Sequence, residues 1–141
     1  MRAVFADTVY WVASFRRDDP WRSSARQAVR RLGRVRLVTI DEVLVEFLAA
    51  VAGADPRIRA RAGPFVRAIL SHPDIVVHPQ SRDSLLQGLR LYETRPDKGY
   101  SLTDCIAMIA MRAAGITQVL TTDRHFEQEG FVVLMRVLMK S

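Results

Sequence analysis

Short runs of apolar residues alternate along this chain with longer segments of helical periodicity. Each of these short segments is four residues long and contains two to four consecutive apolar residues, which is typical of buried strands and too short for buried helices. Strands that are separated by helices pair in parallel, with the helices covering both faces of the sheet. We therefore expect an α/β three-layer sandwich around a parallel sheet of about five strands. The predicted strands are 3–6, 36–39, 75–78, 118–121 and 131–134.

The segments between these strands carry signals that begin and end helices. Asp19 and Asp55 each precede a proline, the arrangement of an N-cap followed by proline in the first helical turn. Thr39 and Glu42 have the spacing of a capping box. The dipeptide Gly63-Pro64 predicts a break that divides the region after Asp55 into two helices. The other predicted helices cover 8–17, 19–33, 40–52, 81–94, 102–114 and 125–128.

Length and composition predict one domain outside the membrane. A chain of 141 residues without repeats or linkers has the size of a single domain, and its 49% of hydrophobic residues excludes general disorder. It contains no apolar run near the roughly 18 residues of a membrane helix, and Asp7 interrupts any signal-peptide core. A single cysteine suits a reducing compartment. We expect one domain over residues 1–141, located in the cytoplasm.

The positive charge is concentrated in the first half of the chain. Lys and Arg number 21 against 15 Asp and Glu, and the whole excess of six lies within residues 1–67. Because the arginine fork matches phosphate, this surface favours a nucleic-acid partner, although an ordinary solvated surface explains the charge equally well. Arg22, Arg26 and Arg30 repeat along one face of a predicted helix and are the predicted nucleic-acid contacts.

Four acidic residues are expected at one edge of the sheet. Asp7 and Asp123 directly follow predicted strands, at the carboxyl edge where such sheets bind ligands. Glu46 lies one helical turn after Glu42, and Asp104 lies in the first turn of its helix. Each acid alone has a simpler interpretation as a capping residue. Together they predict a cluster of four carboxylates.

Such a cluster needs a compensating cation. Two carboxylates about 5 Å apart repel by roughly 3 kcal/mol at an effective dielectric constant near 20. That repulsion is large beside a domain's usual net stability of about 5 to 15 kcal/mol. Oxygen ligands without thiols or paired histidines suit Mg²⁺ or Mn²⁺. An acidic metal site beside a basic surface is typical of a metal-dependent nuclease.

Four segments resemble those of PIN domains, specifically the VapC-type toxin ribonucleases of toxin-antitoxin modules. The most specific are Ser-Leu-Thr-Asp-Cys at 101–105 and Thr-Thr-Asp-Arg-His-Phe at 121–126, within the matching segments 5–8, 39–47, 97–105 and 120–126. The resemblance implies a ribonuclease that is silenced by a cognate antitoxin protein and forms a homodimer. It also implies that Mg²⁺ or Mn²⁺ is held by Asp7, Glu46, Asp104 and Asp123, which are the candidate catalytic residues.

Within this interpretation, Asp7 and Asp104 are the first choice as direct metal ligands. Glu46 and Asp123 complete a second ion site or orient water. The residues that we expect to position the substrate are Thr8, Thr103 and Arg124, and those that we expect to bind RNA are Arg22, Arg26 and Arg30.

Other conspicuous side chains receive no catalytic role. His125 lies beside Asp123 and is interpreted as a surface histidine before a packed Phe126, in preference to a phosphate contact. Cys105 is interpreted as a buried, inert thiol. A set of aromatic residues is interpreted either as core or as a face for the antitoxin or a second copy of the chain. These are Tyr10, Trp11, Phe15 and Trp21.

Two alternatives to the toxin remain open. One is a free-standing PIN ribonuclease or RNA-processing factor without an antitoxin. The other is a non-catalytic, receiver-like signalling module, which is also doubly wound. A receiver needs an acidic pair after its first strand and a phosphorylatable Asp after its third. Here Asp7 stands alone and the third strand ends at His78-Pro79, which disfavours the receiver.

Overall fold

The computed structural model of this chain describes residues 1–135 and contains one five-stranded parallel sheet. The predicted α/β fold with about five parallel strands is therefore confirmed. The strands are β1 (Ala3–Ala6), β2 (Arg36–Ile40), β3 (Ile75–His78), β4 (Gln118–Leu120) and β5 (Val132–Val133). The helices are α1 (Thr8–Phe15), α2 (Arg22–Leu32), α3 (Asp41–Ala50), α4 (Pro56–Ser71), α5 (Arg82–Thr94), α6 (Leu102–Ala113) and α7 (His125–Gln128).

The strand order places β1 at the centre of the sheet. The order is β3-β2-β1-β4-β5, so the chain runs outward from β1 to β3 and then crosses back to β4. Ligands bind parallel sheets where the strand order reverses, which here is the gap between β1 and β4. The backbone amide of Asp7 donates to the carbonyl of Leu120 at 3.2 Å, extending the pairing of these strands. The carboxyl end of β1 therefore lies at the switch point of the sheet.

The helices form two packed groups around the sheet. In one group α1 packs on α2 and α3, and α3 packs on α4; in the other, α5 packs on α6, and α6 packs on α7. Among residues 1–135 no helix is long and apolar enough to cross a membrane.

The aromatic residues of α1 belong to the core. Tyr10, Trp11 and Phe15 are all at most 9% exposed, and Trp21 is partly buried against them. Phe15 packs edge-on against Phe47 with ring centroids 5.4 Å apart. Of the two interpretations of these aromatics, the structure supports the core and leaves no exposed aromatic face at α1.

Two sequence signals gave the wrong helix boundaries. The helix α4 continues through Gly63-Pro64 instead of breaking there. Pro64 lies on the exposed side of α4, so water reaches the carbonyl that loses its donor, while Ala62 and Ile69 keep the opposite face in the core. At the start of α2, the Asp19 carboxylate accepts from the amide of Trp21, and the helix itself begins only at Arg22.

The predicted capping box of Thr39 and Glu42 is also wrong. The Thr39 hydroxyl is fully buried and donates to the carbonyl of Ala6 at 2.9 Å. The helix α3 begins at Asp41 without a side-chain cap. The hydroxyl of Thr39 therefore joins the carboxyl ends of β1 and β2. The last two strands are shorter than predicted, since β4 ends at Leu120 and β5 covers only Val132–Val133.

A pair of glycine substitutions tests the packing of α5 on α6. A methyl group at Gly88 would overlap Ile106 Cγ1 and lie 3.2 Å from its Cα, whereas one at Gly63 meets no atom of residues 1–135 within 4 Å. We expect Gly88→Ala to lower the free energy of unfolding by about 1 to 3 kcal/mol through overpacking. Gly63→Ala should raise it by about 0.5 to 1 kcal/mol, because alanine favours the helix. Urea unfolding measures both, and a stabilising Gly88→Ala would show that the two helices separate easily.

Candidate active site

The structure brings the four predicted acids together at the carboxyl edge of the sheet. Asp7 follows β1, Asp123 lies after β4, Glu46 lies in α3, and Asp104 lies in the first turn of α6. The charges of Asp104 and Glu46 act on Asp7, and the charge of Asp123 acts on Asp104. Four separate elements thus place carboxylates around the end of the central strand. Among residues 1–135, no arginine or lysine forms an ion pair with any of the four.

Asp7 is the most buried of these acids. Its side chain is 5% exposed, and Oδ2 accepts a hydrogen bond from the Thr121 hydroxyl at 2.8 Å. Burial raises the pKa of Asp7 to about 7, and the like charges of Asp104 and Glu46 act in the same direction. Hydrogen bonds from Thr8 and Thr121 oppose the rise. Without a cation, the Asp7 carboxyl is therefore partly protonated at neutral pH.

Glu46 is held by Thr8. The Thr8 hydroxyl is buried and donates to Glu46 Oε1 at 2.5 Å. A phosphate oxygen can only accept, and the single proton of this hydroxyl is already donated to Glu46. This hydroxyl therefore orients Glu46 and keeps its lone pairs for a water molecule, and the predicted role of Thr8 in positioning the substrate stays a prediction.

Asp104 combines a capping role with its place in the cluster. Asp104 Oδ2 accepts from the amide of Ser101 at 3.0 Å, and the Ser101 hydroxyl accepts from the amide of Asp104 at 3.0 Å, which completes a capping box. Burial raises the pKa of Asp104, and the nearby charge of Asp123 adds to the effect. The structure thus supports both interpretations of Asp104, because the cap fixes the carboxylate without neutralising it.

His125 lies at the site, where the sequence analysis preferred a surface position and did not predict its contact with the acids. Its Nδ1 is 3.3 Å from Asp123 Oδ1 and 3.5 Å from Asp104 Oδ2. This nitrogen is shielded from solvent and has no hydrogen-bond partner within residues 1–135. The backbone amide of His125 donates to Asp123 Oδ1 at 2.9 Å, which turns the ring back toward the acids. The available signal was its position two residues after Asp123.

The donor atoms at this edge fit a divalent cation. Single donor atoms of Asp104, Asp123 and His125 all lie within 4.8 Å of one another. Carboxylate oxygens are the preferred ligands of Mg²⁺ and Mn²⁺, and the orphaned Nδ1 is a further free donor. The residues present therefore suit such an ion.

The predicted substrate contacts differ in their surroundings. Nη1 of Arg22 donates to the carbonyls of Ala13, Ser14 and Arg16, so this side chain closes the end of α1, and its contact with RNA stays a prediction. In contrast, Arg26 and Arg30 are exposed and line an open cleft of about 270 Å³ beside α1.

Two further predicted contacts lie close to the acids. Arg124 is exposed directly after Asp123. Thr103 precedes Asp104 and lines a cleft of about 420 Å³ together with Glu42 and Arg82. The contact of these two side chains with the substrate stays a prediction.

Fold and site together are those of a PIN domain. The family model of the PIN domain matches residues 4–131, and the chain belongs to that family. Among solved structures it is similar to Mycobacterium tuberculosis VapC20, which is described as a sarcin-ricin loop cleaving toxin. The TM-score is 0.81 at 22% sequence identity, over 94% of this chain and 99% of that chain, so the two share their fold. No curated protein matches the chain. Family membership argues against the receiver-like module.

The burial of Asp7 predicts a pH dependence of stability in the absence of metal. The unfolded chain releases the Asp7 proton near the ordinary pKa of 3.8, whereas the folded chain releases it near 7. Between these values only the folded state holds the proton. The free energy of unfolding therefore falls as the pH rises through this window, by on the order of 2 to 4 kcal/mol. Asp7→Asn should remove this fall and be the more stable protein above pH 7.

Thermal melts in EDTA between pH 4 and 8 measure this difference. Asp97→Asn, which changes an exposed carboxylate in a loop, serves as the matched control and should keep the wild-type slope. If the melting temperatures of the wild type and Asp7→Asn changed in parallel with pH, Asp7 would ionise as freely in the folded protein as in the unfolded chain.

Proposed function

We propose that this protein is a metal-dependent endoribonuclease that hydrolyses RNA phosphodiester bonds. The observation that carries the proposal is the convergence of Asp7, Glu46, Asp104 and Asp123 at the switch point of a PIN-domain sheet. Four carboxylates that form no ion pair with an arginine or lysine of residues 1–135 repel one another unless a cation joins them. Structural capping accounts for Asp104 and Asp123, but it gives no reason to bury Asp7 beside two other acids.

Asp7 and Asp104 would hold Mg²⁺ or Mn²⁺ directly, with Glu46 and Asp123 on either side. A bound divalent ion makes hydroxide available from water and neutralises charge on the phosphate. The Thr121 hydroxyl donates to Oδ2 of Asp7, and the amide of Ser101 donates to Oδ2 of Asp104. Each carboxylate keeps its second oxygen, and each bonded oxygen keeps a further lone pair, for the site. Thr8 likewise fixes Oε1 of Glu46 and leaves Oε2 to orient water or accept its proton.

Exposed arginines provide the attraction for RNA. Arg124 adjoins the acids, and Arg26 and Arg30 line the cleft beside α1. Each of these guanidinium groups can pair with a backbone phosphate without reading sequence. The net charge of +6 strengthens the encounter and should make binding weaken with salt.

We further propose that the protein is the toxin of a toxin-antitoxin pair. The similarity in fold to VapC20, described as a toxin that cleaves the sarcin-ricin loop, supports this role. A toxin of this kind acts in the cytoplasm, where its RNA substrate is found, and needs a cognate antitoxin protein that silences it. The proposal includes a homodimer, which sedimentation of the purified chain would test directly.

The ribonuclease proposal is tested with purified protein and labelled RNA. We expect cleavage in Mg²⁺ or Mn²⁺ and none in excess EDTA, with activity restored when the metal is added back. Full activity in EDTA would contradict a metal-dependent mechanism.

The toxin proposal is tested in growing cells. Overproduction of the chain should arrest growth, and co-expression with the product of a neighbouring reading frame should restore it and yield a co-purifying, inactive complex. A chain that is active on RNA but harmless when overproduced, and that retains no small partner, would instead be a free-standing PIN ribonuclease.

A further inference from the structure

His125 is held in a fixed orientation beside two of the proposed metal ligands. Its ring packs edge-on against Tyr100, with ring centroids 5.3 Å apart. The next residue, Phe126, is fully buried and anchors the short helix α7 in the core. The backbone amide of His125 donates to Asp123 Oδ1. The imidazole is thus constrained on both sides, and Nδ1 faces the carboxylates.

Nδ1 of His125 is a buried polar atom without a hydrogen-bond partner among residues 1–135. The atom is shielded from water and forms no hydrogen bond within residues 1–135, although carboxylate oxygens lie 3.3 and 3.5 Å away. A buried ring nitrogen without a partner is unfavourable, and native structures rarely contain one without a reason. A ligand between this nitrogen and the two carboxylates would satisfy all three groups.

The spacing of the three donors matches neighbouring ligands of one ion. In octahedral coordination with bonds of about 2.1 Å, adjacent donors lie about 3.0 Å apart. The distances from Nδ1 to Asp123 Oδ1 and to Asp104 Oδ2 exceed this by only a few tenths of an ångström. Donor atoms of all three residues lie within 4.8 Å of one another, so an inward movement of the two carboxylates would bring the three donors onto a common cation.

We propose that His125 is a further protein ligand of the divalent ion, through Nδ1, on the side of the site where Asp104 and Asp123 lie. The proposal rests on the metal-dependent function above and adds a nitrogen donor to a site otherwise made of oxygens. Mg²⁺ strongly prefers oxygen ligands, whereas transition metals accept imidazole readily. The site should therefore select Mn²⁺ over Mg²⁺, and His125 should be the origin of that selectivity.

Metal binding by the RNA-free full-length chain tests the role of His125. Titration calorimetry with Mn²⁺ and separately with Mg²⁺ gives the ratio of the two dissociation constants. His125→Phe keeps an aromatic ring against Tyr100 but removes the donor. We expect it to weaken Mn²⁺ binding about tenfold or more and to change Mg²⁺ binding much less. The matched control is His78→Phe, which removes an exposed imidazole from β3, two strands away from β1, and should leave both constants unchanged.

A spectroscopic measurement on the wild-type chain keeps the test independent of any folding defect. Electron spin-echo envelope modulation of bound Mn²⁺ detects a directly coordinated imidazole nitrogen. We expect this signal in the wild type and in His78→Phe, and its loss in a folded His125→Phe. Bound Mn²⁺ without a nitrogen signal, or a signal that survives in His125→Phe, would overturn the ligand role of His125 and leave the ribonuclease proposal intact. Failure of the wild type to bind either metal would overturn both proposals.

Discussion

Replacing Asp104 by asparagine should reduce the rate of RNA cleavage about a thousandfold or more while the fold survives. The amide oxygen can still accept from the amide of Ser101, so the capping box at the start of α6 is kept. The substitution removes the charge that we propose to hold the metal. A loss of about 4 kcal/mol of transition-state stabilisation, typical of an electrostatic catalytic group, corresponds to this factor.

The measurement is the single-turnover rate of cleavage at saturating Mn²⁺, accompanied by a thermal melt. Asp83→Asn is the matched control, because Asp83 occupies the first turn of α5 as Asp104 does that of α6, but is exposed and outside the acid cluster. The control should retain wild-type activity. If Asp104→Asn kept more than a tenth of the activity, Asp104 would be a capping residue and no more.

The acids of the site were predictable because they follow from the strand pattern. An apolar run of four residues that ends in an acid places that acid at the sheet edge, whatever the details of the helices. Asp7 directly follows such a run, and Asp123 follows the shorter apolar pair Val119-Leu120 after two threonines. The positions of Glu46 and Asp104 are harder to predict, because each depends on the residue at which its helix begins. Whether these acids catalyse cleavage stays a prediction.

The failures have a common physical cause, which is a partner that is distant in sequence. Thr39 was expected to cap its own helix, but its hydroxyl donates to the carbonyl of Ala6 across the sheet. The contact of the Arg22 guanidinium with the carbonyls at the end of α1 was likewise not predicted. His125 was assigned to the surface, because only the folded chain brings Asp104 beside it. Local periodicity carries no information on these contacts.

Glu129, an acid outside the active site, should make a large contribution to the stability of the fold. Its carboxylate is 5% exposed and accepts from Arg95 Nε and from Arg112 Nη2, each at 2.6 Å. The Tyr100 hydroxyl also donates to it, at 3.1 Å. Burial opposes the ionisation of Glu129, but these three donors outweigh burial and hold its pKa below the ordinary value. The carboxylate thus joins the end of α5, the loop before α6 and the last turn of α6.

This network also reaches the active site. The Tyr100 ring that packs on His125 is fixed at its hydroxyl by Glu129, and burial together with that hydrogen bond raises the pKa of Tyr100 to about 12. The hydroxyl therefore remains a donor at any pH at which the protein functions. Loss of Glu129 would release Tyr100 and with it one side of the pocket around His125.

Glu129→Gln should lower the free energy of unfolding by about 3 kcal/mol at pH 7. Removing the carboxylate of a buried ion pair leaves the charges of Arg95 and Arg112 without a counter-charge. Because both arginines are partly exposed, the lost free energy of unfolding lies at the lower end of the usual range for such pairs. For a domain of this size the melting temperature should fall by about 10 °C. Glu93→Gln, an exposed substitution in α5, should leave it unchanged.

The pH dependence of this loss separates an electrostatic role for Glu129 from simple packing. Because the pKa of Glu129 is depressed in the folded protein, its ion pairs stabilise the fold above the ordinary glutamate pKa and are lost as the pH falls through the depressed value. The difference in melting temperature between the wild type and Glu129→Gln should therefore be full at pH 7 and shrink steadily below about pH 4. A difference of the same size at pH 3 would mean that the shape of the side chain, and not its charge, holds the loop before α6 in place.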